Sequence, residues 1–186
     1  MPNASKKHTA IPRYSQFLDV QQKNWRRRSC GVVALKMLID YWANGNLTTR
    51  PTISELIKNG RRVSAFDSTT GWKHGGLVRL ARRYTFQAKN FDWADESSVR
   101  AFKKLKVLVQ KFPVIASVYR NLKPKSTGHL VVITKTTPSH VEYHDPDSRS
   151  RSQIKRRASK KTFLAGWKHR IIVIQPRLRN SGKSVH

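Results

Sequence analysis

The only cysteine of the chain, Cys30, lies in a stretch that could activate a thiol for attack on a carbonyl group. Ser29, a residue type that often caps helix N-termini, precedes it, and apolar residues follow at positions 32, 33, 35, 38, 39 and 42. The pattern predicts a mostly buried helix that begins at or next to Cys30. A thiol there faces unpaired N–H groups and the positive end of the helix dipole, and both favour the thiolate, which is the nucleophilic form.

The neighbours of Cys30 are consistent with this chemistry. Three arginines, Arg26 to Arg28, come shortly before it, and Gly31 leaves space beside the sulfur for a substrate. The alternative is an inert cysteine in the core of a helix, a common environment for a free thiol. A single cysteine also excludes an intramolecular disulfide.

A histidine and an aspartate in the second half of the chain are placed to assist such a thiol. Residues 129–134 and 141–145 have the composition of two strands, and residues 136–139 between them favour a turn. A hairpin centred near residue 137 puts His129 opposite Asp145, on one face of the sheet. Asp145 could then hold one ring nitrogen and leave the other to face a thiol. The alternative is a structural hydrogen bond, and a register slip of one residue would separate the pair.

Other titratable residues offer weaker candidates. Asp147 could replace Asp145, but it follows Pro146, where the strand is expected to end. His144 alternates to the opposite face from Asp145, so we expect it at the surface or the sheet edge. His74 lies in a glycine-rich loop and could border a cleft. Three histidines, at 74, 129 and 144, lack the spacing of metal ligands, so we expect neither a metal nor a cofactor.

The remaining elements follow from the distribution of apolar residues. Helices are expected after Thr52, where Thr52 and Glu55 have capping-box spacing, after the loop at 71–76, and from Asp95 to about Lys111. Strands are expected at 86–91, 114–119 and 171–174, besides the two of the hairpin. Helices in the first half and strands in the second predict an α+β fold with an antiparallel sheet.

Four short motifs, in this order, resemble the C39-like branch of papain-like cysteine peptidases over about residues 11 to 175. They are Tyr14-Ser15-Gln16, then the stretch from Arg28 to Met37, then Gly128 to Val132, then Tyr143-His144-Asp145-Pro146.

The resemblance implies a papain-like fold, with the nucleophile at the start of a central helix. It implies that Cys30 is the nucleophile, His129 the general base and acid, and Asp145 the residue that orients it. Gln16 would be the side-chain donor of the oxyanion hole, beside the N–H of Cys30. Two further glutamines, Gln21 and Gln22, lie nearer to Cys30 in sequence and stay as alternatives.

The net charge of +28, from 38 Lys and Arg against 10 Asp and Glu, favours attraction to a polyanion or an acidic protein. The acid-free segment at 148–161 is predicted to be a basic surface excursion that could contact a polyanion such as RNA. We expect residues 1–10 to be a disordered basic N-terminus, residues 11–176 the peptidase domain and residues 177–186 a basic disordered tail. Neither a signal-peptide core nor a membrane-length apolar run is present, which predicts a cytoplasmic protein.

The sequence therefore favours a cysteine peptidase that cleaves a peptide or protein substrate with Cys30, His129 and Asp145. Two other functions stay open. The same scaffold could act mainly as a binding module for RNA or protein, as the charge suggests. The same three residues could also transfer an acyl group to an acceptor other than water.

Overall fold

The computed structural model describes residues 10–43 and 50–177. The expected disordered ends, 1–10 and 177–186, lie almost entirely outside the described residues. The α-helices are α1 (Cys30–Trp42), α2 (Ile53–Arg62), α3 (His74–Arg83), α4 (Ser98–Val109) and α5 (Lys160–Gly166). The strands are β1 (Phe66–Asp67), β2 (Gly71–Trp72), β3 (Phe86–Asp92), β4 (Val114–Tyr119), β5 (Gly128–Thr136), β6 (His140–His144), β7 (Lys155–Ser159) and β8 (Trp167–Pro176).

Helix α1 is the central helix of the fold and begins at Cys30, as the sequence predicts. Its residues from Gly31 to Leu35 are buried, and it packs chiefly against β5. A helix that is apolar on nearly all sides is stable only when other elements surround it. Ser29 does not cap the helix, because its hydroxyl donates to the carbonyl of Trp25 at 2.8 Å.

A six-stranded antiparallel sheet, in the order β3-β8-β4-β5-β6-β7, forms most of the second half of the chain. Alternate residues of β5 point to its two faces. Leu130 and Val132 pack in the core that contains α1, whereas Val131 and Ile133 pack in the core that contains α4. The α+β class predicted from the sequence is confirmed.

The hairpin of β5 and β6 keeps the predicted faces with a different register. Ile133 pairs with Tyr143 and Val132 with His144, a displacement of two residues from the expected register. A shift of two residues preserves the faces, because side chains alternate with a period of two. An irregularity between Ile133 and Lys135 then accommodates the turn.

His144 is not at the surface, contrary to the sequence-based expectation. It is buried on the β6 strand, and its Nδ1 lies 3.2 Å from the carbonyl oxygen of Pro12. The N-terminal segment before α1 covers this end of the sheet. Alternation of polar and apolar residues along a strand does not show that a distant segment covers its polar face.

The segment at 148–161 contains an edge strand, β7, which the sequence analysis missed. Its charges hid its strand character, because Lys and Arg are depleted in most strands; edge strands, however, often contain them. Lys155 lies 3.4 Å from Glu142 of the neighbouring strand, and Arg151 pairs with Asp19. These two cations of the segment are therefore compensated within the protein. No helix of the described residues is long and apolar enough to cross a membrane.

Candidate active site

The thiol of Cys30 and the imidazole of His129 meet where α1 begins and β5 starts. Burial by itself raises the pKa of the Cys30 thiol, but the neighbouring His129 side chain lowers it below its ordinary value. A backbone N–H at Leu130 and the positive charge of Arg120 act in the same direction. The first turn of α1 adds unpaired N–H groups around the sulfur. These surroundings favour the thiolate.

His129 is held from one side by Asp145. Its Nε2 lies 2.7 Å from Oδ1 of Asp145, and the two residues are 3% and 2% exposed. Burial opposes a charged imidazole, but the hydrogen bond with Asp145 and the interaction with the Cys30 thiol raise the pKa of His129. The raised histidine pKa and the lowered thiol pKa together favour a thiolate–imidazolium pair.

The second ring nitrogen of His129, Nδ1, is buried and makes no hydrogen bond of good geometry with the described residues. Because Nε2 donates to Asp145, Nδ1 is the nitrogen left to face the thiol. The sulfur lies close enough for a hydrogen-bonding interaction and its charge to raise the pKa of His129. Contacts of this kind are often long before a substrate binds.

Asp145 follows the last residue of β6 and is held by two hydrogen-bond donors and one cation. Besides His129, the backbone N–H of Asp147 donates to its Oδ1 at 2.9 Å, and Nη1 of Arg156 lies 3.2 Å from its Oδ2. Burial raises the pKa of Asp145, but the hydrogen bond and charge of His129, followed by the charge of Arg156, lower it overall. The carboxylate therefore stays ionised and in one orientation.

Gln16 is the buried glutamine among the three that the sequence left open. Its side chain is enclosed, with the residue 1% exposed, whereas Gln21 and Gln22 are exposed. Nε2 of Gln16 donates to Oδ1 of Asp147 at 2.6 Å, and its backbone N–H donates to the carbonyl of Pro146. Because a carboxylate only accepts hydrogen bonds, the amide nitrogen of Gln16, and not its oxygen, faces Asp147. One amide hydrogen is then left for another acceptor.

Two further residues belong to this network, Asp147 and Arg120, and the sequence analysis gave no role to Arg120. Nη1 of Arg120 lies 2.5 Å from Oδ2 of Asp147, opposite the oxygen that Gln16 contacts. Arg120 lies in the short helical turn directly after β4, next to the start of β5. The sequence analysis weighed Asp147 only as a replacement for Asp145 and set it aside because it follows Pro146.

His74 is the first residue of α3 and is half-buried. Burial, followed by the charge of Arg170, lowers its pKa, so its imidazole is neutral over most of the physiological range. Among residues 10–43 and 50–177, no three His, Cys, Asp or Glu side chains cluster as metal ligands.

Comparisons with known proteins identify a family and a fold. A family model described as the Peptidase_C39 like family matches residues 8–171. No curated protein is similar to the chain in sequence.

Three solved structures have a similar fold. A C39-like peptidase from Bacillus anthracis has a TM-score of 0.66 at 18% identity, covering 90% of this chain and 95% of that one. The peptidase domain of Streptococcus ComA, a bi-functional ABC transporter, has a TM-score of 0.60 at 20% identity, covering 81% and 93%. A double glycine motif protease from an AMS/PCAT transporter, in complex with the leader peptide, has a TM-score of 0.57 at 16% identity, covering 92% and 96%.

Proposed function

The chain belongs to the Peptidase_C39 like family, and from that premise we propose that it is a cysteine peptidase that hydrolyses peptide bonds with Cys30 as nucleophile. One observation supports this above the others. His129 is fixed by Asp145 through Nε2 at 2.7 Å, while its Nδ1 is buried without an aligned partner beside the only cysteine. A structural histidine in a core would be expected to satisfy both nitrogens.

The proposed reaction follows from the charges at the site. The thiolate of Cys30 attacks the peptide carbonyl, and the carbonyl oxygen becomes an oxyanion. The imidazolium of His129 gives its Nδ1 proton to the leaving amine, which breaks the C–N bond and leaves an acyl-enzyme. His129 then takes a proton from water, and the hydroxide oxygen attacks the thioester carbonyl. Release of the acid product returns the thiolate and the imidazolium.

Gln16 is the proposed side-chain donor to the oxyanion, together with the backbone N–H of Cys30. Asp147 occupies one hydrogen of the Gln16 amide, and Arg120 holds Asp147 from its other oxygen. Such an arrangement fixes the carboxamide before the substrate binds, and preorganised donors stabilise developing charge without reorganisation. Asp147 and Arg120 are therefore proposed as positioning residues.

The proposed substrate class is a peptide or an unfolded protein segment. The structural neighbour described as a double glycine motif protease holds a leader peptide, which supports peptide binding by this fold. Polyanion binding through residues 148–161 gains no support here, because Arg156 pairs with Asp145 and Arg151 with Asp19.

Alkylation of Cys30 by iodoacetamide tests the proposal without knowledge of the substrate. Because the thiol pKa is lowered, we expect fast labelling at pH 6, where an ordinary thiol is almost fully protonated. The rate should fall only as the pH drops through the lowered pKa. His129→Ala should slow labelling at pH 6 by about tenfold or more, since the thiolate loses the cation that stabilises it.

Mass spectrometry of the single labelled cysteine measures both rates, and His140→Ala, a substitution at the first residue of β6, is the matched control. Equal slow rates in all three proteins would contradict the peptidase proposal. Product analysis then separates hydrolysis from acyl transfer, because only hydrolysis releases a free carboxylate in the absence of an added acceptor.

A second prediction concerns the oxyanion donor. Gln16→Met keeps the side-chain volume but removes the amide hydrogens, so kcat should fall by about 10²–10³-fold with little change in KM. Gln22→Met is the matched control, because that exposed side chain instead accepts from Ser54 at 3.2 Å. Steady-state kinetics on any cleaved peptide, with a thermal midpoint for each variant, makes the measurement. A larger loss in the Gln22 variant would mean that the wrong glutamine was chosen.

A further inference from the structure

Lys168 lies at the end of the sheet where β5, the strand that contains His129, begins. Trp167 of β8 pairs with Val118 of β4, and Val118 pairs in turn with His129 of β5. These three residues form one row across neighbouring strands. Lys168 follows Trp167 directly, so its side chain starts one residue away from the row that contains the proposed general base.

An irregularity in β8 sets the position of the Lys168 side chain. Ser117 pairs with Arg170 and Val118 with Trp167, so Lys168 and His169 are two extra residues without partners in β4. His169 has a φ of 55°, which turns the backbone sharply at this point. Irregularities of this kind redirect side chains, often next to active sites.

The ammonium group of Lys168 is directed toward the residue before His129. Its Nζ lies 4.4 Å from the centre of the Tyr119 ring and 3.3 Å from the position that a Cβ would occupy on Gly128. Gly128 is exposed, so the space above it is open to a ligand. A side chain at position 128 would crowd the ammonium group.

Lys168 has no carboxylate partner among residues 10–43 and 50–177. The ion pairs of these residues are all formed by other side chains. The neighbouring Arg170 is also a cation, and it is paired with Asp92 at 2.8 Å. Burial, and then the charge of Arg170, lowers the pKa of Lys168. A partly buried, unpaired ammonium group is unfavourable until an anion binds it.

The position of this cation indicates which part of a substrate it would meet. The following step rests on the proposed peptidase function. His129 must give its proton to the leaving amine, so the substrate residues after the scissile bond pass on the His129 side of the thiol. Gly128 directly precedes His129 in β5, and the ammonium group of Lys168 lies beside Gly128. We propose that Lys168 binds a carboxylate on the leaving-group side of the substrate, so that the peptidase cleaves preferentially just before an acidic residue or a free C-terminus.

Cleavage of a mixed-sequence peptide library tests the preference directly. Mass spectrometry of the products should show Asp and Glu enriched in the first positions after the cleaved bond. For peptides with an acid there, Lys168→Gln should lower kcat/KM by about ten- to a hundred-fold, the usual effect of losing a charge-assisted hydrogen bond. Peptides with the matching amide should change little. Lys168→Glu should shift the enrichment from acidic to basic residues.

Lys89→Gln is the matched control. Lys89 also lies over an aromatic ring, that of Phe91 at 5.0 Å, but on the edge strand β3. Libraries with amidated and free C-termini distinguish the two sources of a carboxylate: amidation removes the preference only if the C-terminal group is the one bound. Equal cleavage before acidic residues and before their amides would overturn the inference. Enrichment of acidic residues only before the cleaved bond would also overturn it.

Binding to a Cys30→Ala protein separates this inference from the peptidase proposal. Peptides that carry an acid after the cleavage site should bind this protein more tightly than their amides, and Lys168→Gln should remove the difference. Hydrolysis without discrimination would contradict the Lys168 inference alone. Discrimination without hydrolysis by the protein that retains Cys30 would contradict the peptidase proposal and leave the carboxylate site standing.

Discussion

Replacing Cys30 with Ser is expected to abolish peptide hydrolysis while the fold survives. The hydroxyl has nearly the shape of the thiol, so the packing at the start of α1 changes little. Its proton is far harder to remove than that of a thiol whose pKa is already lowered by His129. The loss in kcat/KM should be about 10³-fold or more. Nucleophile and base act as a unit, so removing the nucleophile removes the effect of both.

Steady-state hydrolysis and a thermal midpoint, measured on both proteins, check this prediction. The midpoints should agree closely, and iodoacetamide should no longer label the variant, since Cys30 is the only cysteine. Activity retained within about tenfold would mean that another residue forms the covalent intermediate. A large fall in the midpoint would instead indicate that the thiol is mainly a packing residue.

The sequence predicts the region around Cys30 well because its signals are local. An apolar pattern around a helix and a single cysteine at its start define α1 without any information about its neighbours. The capping box at Thr52 is confirmed for the same reason, since its partner Glu55 is three residues away. The predicted cap at Ser29 is wrong, because its hydroxyl donates instead to the carbonyl of Trp25.

The contact between His129 and Asp145 depends more on the alternation of side chains along each strand than on the exact register of the hairpin. The observed register differs by two residues from the expected one, yet the two side chains meet at 2.7 Å. Asp145 lies just past the end of β6, where the chain is no longer constrained by the ladder. Its backbone N–H donates instead to Ile154 at 2.8 Å, which continues the contact with the next segment.

Contacts between distant segments are what the sequence could not predict. Arg156 reaches Asp145 only because β7 pairs with β6, and the strand character of β7 is hidden by its charges. Gln16 reaches Asp147 across 131 residues of sequence. Neither contact has a local pattern. The basic segment at 148–161, predicted to be a surface excursion, therefore supplies the cation that pairs with the proposed orienting carboxylate.

Replacing Asp145 with Ala should lower kcat by about 10³–10⁴-fold, because it removes the acceptor that orients His129 and stabilises its positive charge. The loss has a second cause in this chain. Without the carboxylate, the guanidinium of Arg156 is left beside the imidazolium with no anion between them. Repulsion between these cations lowers the pKa of His129 and, in turn, weakens the stabilisation of the Cys30 thiolate.

Asp145→Asn separates the two roles of the carboxylate. The amide oxygen can still accept the hydrogen bond from Nε2, so orientation is largely kept, while the negative charge is lost. We expect a smaller loss in kcat than for Ala, together with a narrower pH profile of kcat/KM. The acidic limb should move to higher pH because the thiol pKa rises, and the alkaline limb to lower pH because the pKa of His129 falls.

Asp147→Asn is not a neutral control for this experiment, because Asp147 holds Gln16 and Arg120. Asp95→Asn is the better control, since Asp95 is exposed in the turn before α4 and makes no ion pair with the described residues. Asp147→Asn should lower kcat through Gln16 and leave the alkaline limb, which His129 sets, nearly unchanged. The assignment would be reversed if the alkaline limb moved in the Asp147 variant and stayed fixed in both Asp145 variants. Asp147, in place of Asp145, would then be the partner of His129.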